Sequence, residues 1–240
     1  MRAVRLHTDG LKLEEVPEPV AGPGETVVRV HAAALTRDEL TWPTDRLPAI
    51  PSYELSGVTE TGDEVIALMP FDRDGCAAEL AVVPSRLLAP KPPGLSHVEA
   101  AALPMTGLTA WQGLFEHGGL RRGERVLVLG ARGGVGHVAV QLAAWSGAAV
   151  VDEAPAGLAF DTAGSVRPDG VERYVTVAAA TDDGIYFIVE PRGDQLAEVA
   201  QVPLQVEIDS VFPLERAVEA FDRVMSRGKH GKVVLDVLAT

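Results

Sequence analysis

Arg125-Val126-Leu127-Val128-Leu129 runs straight into Gly130-Ala131-Arg132-Gly133-Gly134-Val135-Gly136, and this stretch decides the fold. The apolar run reads as a strand buried on both faces, the kind found in parallel sheets. Past the glycines, Val135, Val138, Ala139, Leu142 and Ala143 fall at i, i+3, i+4, i+7 and i+8, one face of a helix. Ala148-Ala149-Val150-Val151 follows as a second strand. Glycines at such a turn let the backbone bend tightly and approach a pyrophosphate, while the helix start offers free N–H groups and its positive dipole end. Ala131, Arg132, Gly133, Gly134, Val135 and Gly136 are therefore candidate cofactor contacts. Asp152, followed by Glu153, stands about 20 residues on, at the end of the second strand, where an acid binds a ribose 2′-hydroxyl. A second reading stays open, in which the glycines only pack helix against strand. Arg132 likewise either pairs with a phosphate or points into solvent.

Upstream, residues 1–90 are β-rich. Ala3–Leu6, Val27–Val30, Glu64–Leu68 and Glu79–Val83 are short strand candidates parted by Pro and Gly turns, which suggests a small barrel or sandwich. Pro90, Pro92, Pro93 and Gly94 form a stiff connector. Ser96 with Glu99 three residues on is a capping-box pattern opening a helix up to Pro104, and a second helix is expected from Thr106 to Phe115. Downstream, Leu158–Phe160, Tyr174–Val177 and Tyr186–Val189 are strand candidates. Pro213 is expected to start a helix with Leu214, Ala217, Val218, Phe221 and Val224 on one face, and Lys232–Leu235 to close the chain as a strand.

The 240 residues carry 34 acids against 21 Lys and Arg, a formal charge of −13, which repels phosphate backbones and anionic lipid. Nucleic acid and membrane are poor partners for such a surface. The single cysteine, Cys76, forms no internal disulfide and cannot build a multi-cysteine zinc site. The six histidines show no metal-ligand spacing. With no apolar run long enough to span a bilayer and no secretory leader at Met1–Arg5, the expected place is the cytoplasm.

Gly133-Gly134-Val135-Gly136, with Leu103-Pro104-Met105-Thr106-Gly107-Leu108-Thr109-Ala110-Trp111 before it and Gln141-Leu142-Ala143 after it, resembles the medium-chain dehydrogenase/reductase superfamily, most of all its zinc-free quinone oxidoreductase (zeta-crystallin-like) branch. Ile50–Gly57, Phe160–Gly164 and Gly231–Leu235 extend the likeness over nearly the whole chain. The resemblance implies an α/β protein: a GroES-like β-barrel over residues 1–105, to which 206–240 return, and a truncated Rossmann-type parallel sheet over 106–205. Zinc-dependent relatives carry Gly-His-Glu where this chain has Ser52-Tyr53-Glu54, and a cysteine near Thr36, so the resemblance implies no zinc. It puts Tyr53 and Thr36 in the catalytic position, where a hydroxyl steadies a developing oxyanion. It also puts Thr109 near the nicotinamide. Equally, Tyr53 only packs on the ligand, Thr109 only caps or packs its helix, and Glu54 is a structural acceptor.

The chain is shorter than such relatives. Between Val151 and Leu158 only Asp152 to Gly157 remain, where the family has a helix, a strand and another helix. Six residues reach at most about 20 Å, and a parallel crossover usually takes about a dozen or more. The spacing argues against a standard crossover, so Leu158–Phe160 is expected to be antiparallel, outside the sheet, or completed by a partner chain. An exposed sheet edge there predicts a homodimer by strand pairing.

Two functions from different classes, and a third, follow. The first is a zinc-independent NAD(P)H-dependent reductase of a quinone or enone-type small molecule, with NADH favoured over NADPH because Asp152 and Glu153 repel a 2′-phosphate. The second is a cofactor-independent cyclase, lyase or isomerase acting on a polyketide-like small molecule, since the missing segment walls the adenosine pocket. The third is a non-catalytic binding subunit.

Overall fold

The computed structural model describes residues 1–42 and 46–239 and divides the chain into two units. The first comprises Met1–Pro104, Pro191–Ala200 and Val206–Thr240, the second Met105–Glu190 and Gln201–Gln205. The division departs from the expected boundaries mainly at residues 191–200, which pack with the barrel.

In the first unit, β1 (Arg2–His7) and β2 (Gly10–Glu15) form an antiparallel hairpin. A second sheet is built on β3 (Glu25–Leu35), β4 (Glu54–Thr59), β5 (Glu64–Leu68), β6 (Leu80–Pro84) and β7 (Ala89–Pro90). Val28, Val30 and Ala32 turn inward along β3 while Arg29 stays exposed, the alternation of a strand with one covered face. Ser96 caps α1 (His97–Ala101): its hydroxyl accepts from the Glu99 N–H at 3.3 Å and Glu99 returns a bond to the Ser96 N–H at 2.8 Å, the expected capping box.

In the second unit, α2 (Pro104–Trp111) runs into a π-helical turn at Gln112–His117. β8 (Arg125–Leu129), α3 (Gly134–Trp145) and β9 (Ala149–Val151) follow as the βαβ unit. β10 (Ala156–Asp161), β11 (Val171–Thr176) and β12 (Ile185–Tyr186) complete a five-stranded sheet, order β12-β11-β10-β8-β9, in which every pairing is parallel. This is the doubly wound order without its outermost strand.

The expectation that residues 158–160 leave the parallel sheet is therefore wrong. It charged the return with a whole strand length, but β9 is three residues long. Val151 lies opposite Leu127 and Leu158 opposite Val126, so the chain need descend only from the level of Leu127 to that of Glu124. That is about 10 Å down and about 10 Å across two strand spacings, within the roughly 17 Å that five Cα steps cover. The Arg125 guanidinium donates to the Pro155 carbonyl at 2.8 Å and pins the short crossing.

Back in the first unit, α4 (Gly193–Val199) packs beside β7, and β13 (Ile208–Pro213), α5 (Ala217–Met225) and β14 (Lys232–Asp236) end the chain. The sheet order is β13-β14-β3-β4-β5-β7, with β6 also on β3. Pro213 ends β13 and is also the N-cap of the 3-10 turn Leu214–Arg216 that leads into α5, so the expected helix does begin there, with Leu214, Ala217, Phe221 and Val224 buried but Val218 exposed. β13 is an edge strand, so the missing proline N–H breaks no ladder on its open side. Ala32, Ala34, Ala101, Ala102 and Val234 pack β3, α1 and β14 into one core cluster.

Candidate functional site

The second unit holds the glycine turn. Gly130 takes φ +85 at the end of β8, a conformation that L side chains rarely adopt, and its carbonyl accepts the Gly133 N–H at 2.8 Å. Gly133 is the N-cap of α3 and carries no side-chain cap, so the first N–H groups of the helix are left for an outside acceptor. Gly136 is buried, and any β-carbon there would overlap the Gly130 carbonyl. Ala131, Arg132 and Gly133 are exposed, and Arg132 makes no ion pair among the described residues. The turn is thus open, not plugged by the protein's own side chains, and fits a pyrophosphate. Asp152 is exposed directly after β9, while Thr109 is buried in α2.

Sequence reasoning missed what steadies this turn. Thr162 donates to the Leu129 carbonyl at 2.9 Å, tying the end of β10 to the end of β8. The fully buried Asp161 accepts from the Ala163 and Ser165 N–H groups, the Tyr174 hydroxyl at 2.9 Å and the Thr176 hydroxyl at 3.1 Å. Burial, reinforced by Asp161, pushes the Tyr174 phenol up to about 12. These bonds order the loop that follows β10.

The first unit holds a cluster of side chains from β3's end, β4 and β14. Thr36 donates to Glu54 Oε1 at 3.1 Å and accepts from Lys232 Nζ at 3.0 Å. Lys232 also binds Glu54 directly, and Glu54 is fully buried. The single hydroxyl proton of Thr36 is therefore committed to Glu54, and the structure places Thr36 in the ion pair rather than as a free donor. Tyr53 is different. Its ring stacks on Trp42 at 5.6 Å and meets Phe71 edge-on at 5.4 Å, and its hydroxyl has no hydrogen-bond partner among the described residues. Burial, and next the Glu39 charge, raise its pKa, which keeps the phenol protonated and a donor.

Glu39, Trp42, Phe71 and Lys232 were not legible as site residues. Glu39 is 5% exposed and neither carboxyl oxygen finds a hydrogen-bond partner among the described residues. Cys76 is buried, with its thiol on the Ser52 carbonyl at 3.2 Å, and burial pushes that thiol up, which makes it a structural group rather than a nucleophile. Among the described residues no three His, Cys, Asp or Glu side chains are grouped to hold a metal ion. Nor is any helix among them long and apolar enough to cross a membrane.

Comparison with known proteins agrees with this architecture. Residues 128–235 match the family model described as zinc-binding dehydrogenase. The probable zinc-binding oxidoreductase, mitochondrial, of Arthroderma benhamiae is 30% identical over 307 aligned positions, covering 95% of this chain and 93% of that protein. Since the alignment is longer than the chain, the relative carries segments absent here. The 2-methylene-furan-3-one reductase of Solanum lycopersicum is 28% identical, covering 95% and 76% of the two chains. Among solved structures, the quinone oxidoreductase of Thermus thermophilus, described together with its NADPH complex, superposes with a TM-score of 0.78 at 29% identity over 99% of this chain and 100% of that one. With its GroES-like and Rossmann-type units and relatives of this extent, the chain belongs to the medium-chain dehydrogenase/reductase superfamily, among its quinone-oxidoreductase-like members, and is an oxidoreductase.

Proposed function

We propose that the protein is a zinc-independent, nicotinamide-dependent reductase of a quinone or an enone-type small molecule. The observation that carries this reading is the protonated Tyr53 hydroxyl, without a hydrogen-bond partner among the described residues, in a wall of Trp42 and Phe71. A flat, conjugated acceptor packs on aromatic rings, and a phenol O–H aimed at its carbonyl favours charge build-up on that oxygen. Where a metal would otherwise polarise the carbonyl, the residues do not fit one. Thr36 and Tyr53 are poor zinc ligands, and the Lys232 ammonium already occupies Glu54. The tomato relative is named for an acceptor in which a methylene is conjugated with a ring ketone.

A nicotinamide dinucleotide would supply the hydride. Ala131 to Gly136 would hold its pyrophosphate, Arg132 adding positive charge, and Asp152 would take a ribose hydroxyl. Because Asp152 and Glu153 are carboxylates, NADH is favoured over NADPH. Following nicotinamide absorbance with 1,4-naphthoquinone or 3-buten-2-one tests the reading. Oxidation that survives a zinc chelator and drops about a hundredfold in Tyr53→Phe supports it. No oxidation of either cofactor with either acceptor sinks it.

One observation favours the runner-up, a cofactor-independent lyase, cyclase or isomerase: the sheet lacks its outermost strand, which removes part of the adenosine wall. Turnover of an enone with no nucleotide added would select it. The free edge of β9 is the proposed contact of a homodimer.

A further inference from the structure

The glycine turn is packed against the loop that follows β10. Thr162 holds the Leu129 carbonyl twice, through its backbone N–H and its hydroxyl, each at 2.9 Å. The same hydroxyl lies 3.4 Å from the Gly130 carbonyl. A β-carbon on Gly130 would stand only 2.5 Å from that hydroxyl oxygen and 3.0 Å from the Ala163 β-carbon. Residues 162 and 163 therefore touch the point where the chain leaves β8 at φ +85, and a shift of the loop is felt where the turn begins.

Hydrogen bonds, rather than apolar burial, fix this loop. Residues 162–170 form no helix, and Ala163, Gly164, Ser165 and Val166 are all exposed. A cavity of about 240 Å³, lined in part by Ser165, Arg167, Tyr174 and Thr181, opens beside them. The near end of the loop is gathered on the fully buried Asp161. Its Oδ1 accepts from the Ala163 N–H and its Oδ2 from the Ser165 N–H, both at 3.1 Å. Oδ2 is anchored in turn to β11, by the Tyr174 hydroxyl at 2.9 Å and the Thr176 hydroxyl at 3.1 Å. All of these partners are donors, and hydrogen bonds to a carboxylate are about twice as strong as neutral ones. The far end is held separately, by Arg167 donating to the Val171 carbonyl at 2.8 Å.

Resting on the reading of the glycine turn as the seat of a pyrophosphate, we propose that Asp161 is the positioning residue of that seat. It fixes residues 162–165 to β11, Thr162 fixes the Leu129 carbonyl, and the turn is thereby held in the shape that leaves the first N–H groups of α3 for the ligand. Asp161 acts through Thr162, not on the reacting atoms. A carboxylate acting through its charge alone would repel an anion, so its removal would tighten binding. The positioning role predicts the opposite sign.

Titration calorimetry of the full chain with NADH and with ADP-ribose tests this, at a temperature well below the melting transition of each variant. Asp161→Asn should weaken both ligands about tenfold or more, and kcat at saturating NADH should stay near that of the wild type. Thr162→Val should weaken them in the same direction, Thr162→Ser should restore the loss, and the double variant should lose no more than Asp161→Asn alone, because the two residues act as one unit. In the ligand-free chain, the Gly133 N–H, which donates to the Gly130 carbonyl across the turn, should exchange faster in Asp161→Asn while amides of β3 stay as protected as before. If Asp161→Asn does not fold, the Thr162→Val and Thr162→Ser pair decides alone. Unchanged or tighter binding in the variants, or weaker binding with Gly133 exchange unaltered, overturns the positioning role and leaves the reductase reading intact. A wild-type chain that binds neither NADH nor ADP-ribose overturns the nucleotide reading itself, and the positioning role falls with it.

Discussion

Lys232 sets the charge balance of the barrel cluster. Removing it leaves Glu54 as a buried, uncompensated charge, so Lys232→Met should lose about 3–5 kcal/mol in urea unfolding. Adding Glu54→Gln should recover part of that loss, because the orphaned charge goes with it. Two other groups shape stability against pH with opposite signs. The His31 and His97 rings lie 4.2 Å apart, and burial first lowers both pKa values, with the charge of His31 lowering His97 further. Their folded pKa values lie below the unfolded value of about 6.5. Their contribution is therefore present above that pH and lost as pH falls. Glu39 is the reverse, since its folded pKa of about 8 exceeds the unfolded value of 4.5. Its contribution is full below 4.5 and drains away as pH rises through 8. Urea midpoints across pH should flatten on the acid side in His97→Gln and on the alkaline side in Glu39→Gln. Tyr53 was legible because it sits within a motif. Glu39 was not, because a lone acid in an irregular stretch reads as solvated until the fold buries it.

The α3–β8 contact shows what an element can tolerate. A β-carbon on Gly136 would overlap the Gly130 carbonyl, so Gly136→Ala must push the helix off the strand. Overpacking of this kind costs about 1–3 kcal/mol, and nucleotide affinity should fall with it as the helix start moves; thermal melting and titration with NADH check both. Most elements were legible from periodicity alone: β8 as an apolar run, α3 from its 3.6-residue face, α1 from its capping box. β2, β4, α4 and β13 were not. β4 (Glu54–Thr59) carries Glu54, Ser56 and Gly57 among its buried residues, a pattern that looks polar until neighbours on both sides satisfy it. Pro213 opens the helical turn as its position suggested, but the edge strand that ends on it was hidden, because proline tolerates both places.

For the molecule as a whole, the free edge of β9 is the prediction of largest scale. The Ala149 N–H donates inward to the Glu124 carbonyl, so by strand alternation the Val150 N–H faces the open edge. Val150→Pro should therefore spare the pairing with β8 and break a dimer formed through that edge, which sedimentation velocity would read as conversion to monomer; an unchanged dimer would place the contact elsewhere. Local patterning, which a chain carries within windows of about ten to twenty residues, was enough to specify a strand–glycine–helix cradle and a β-rich first half. Whether a four-residue crossing could stay parallel, and which buried acid Lys232 pairs with, were settled only by the assembled fold. Both depend on distances between segments far apart in the chain: the short reach past β8, and the one ammonium of Lys232 meeting Glu54 across 178 positions of sequence.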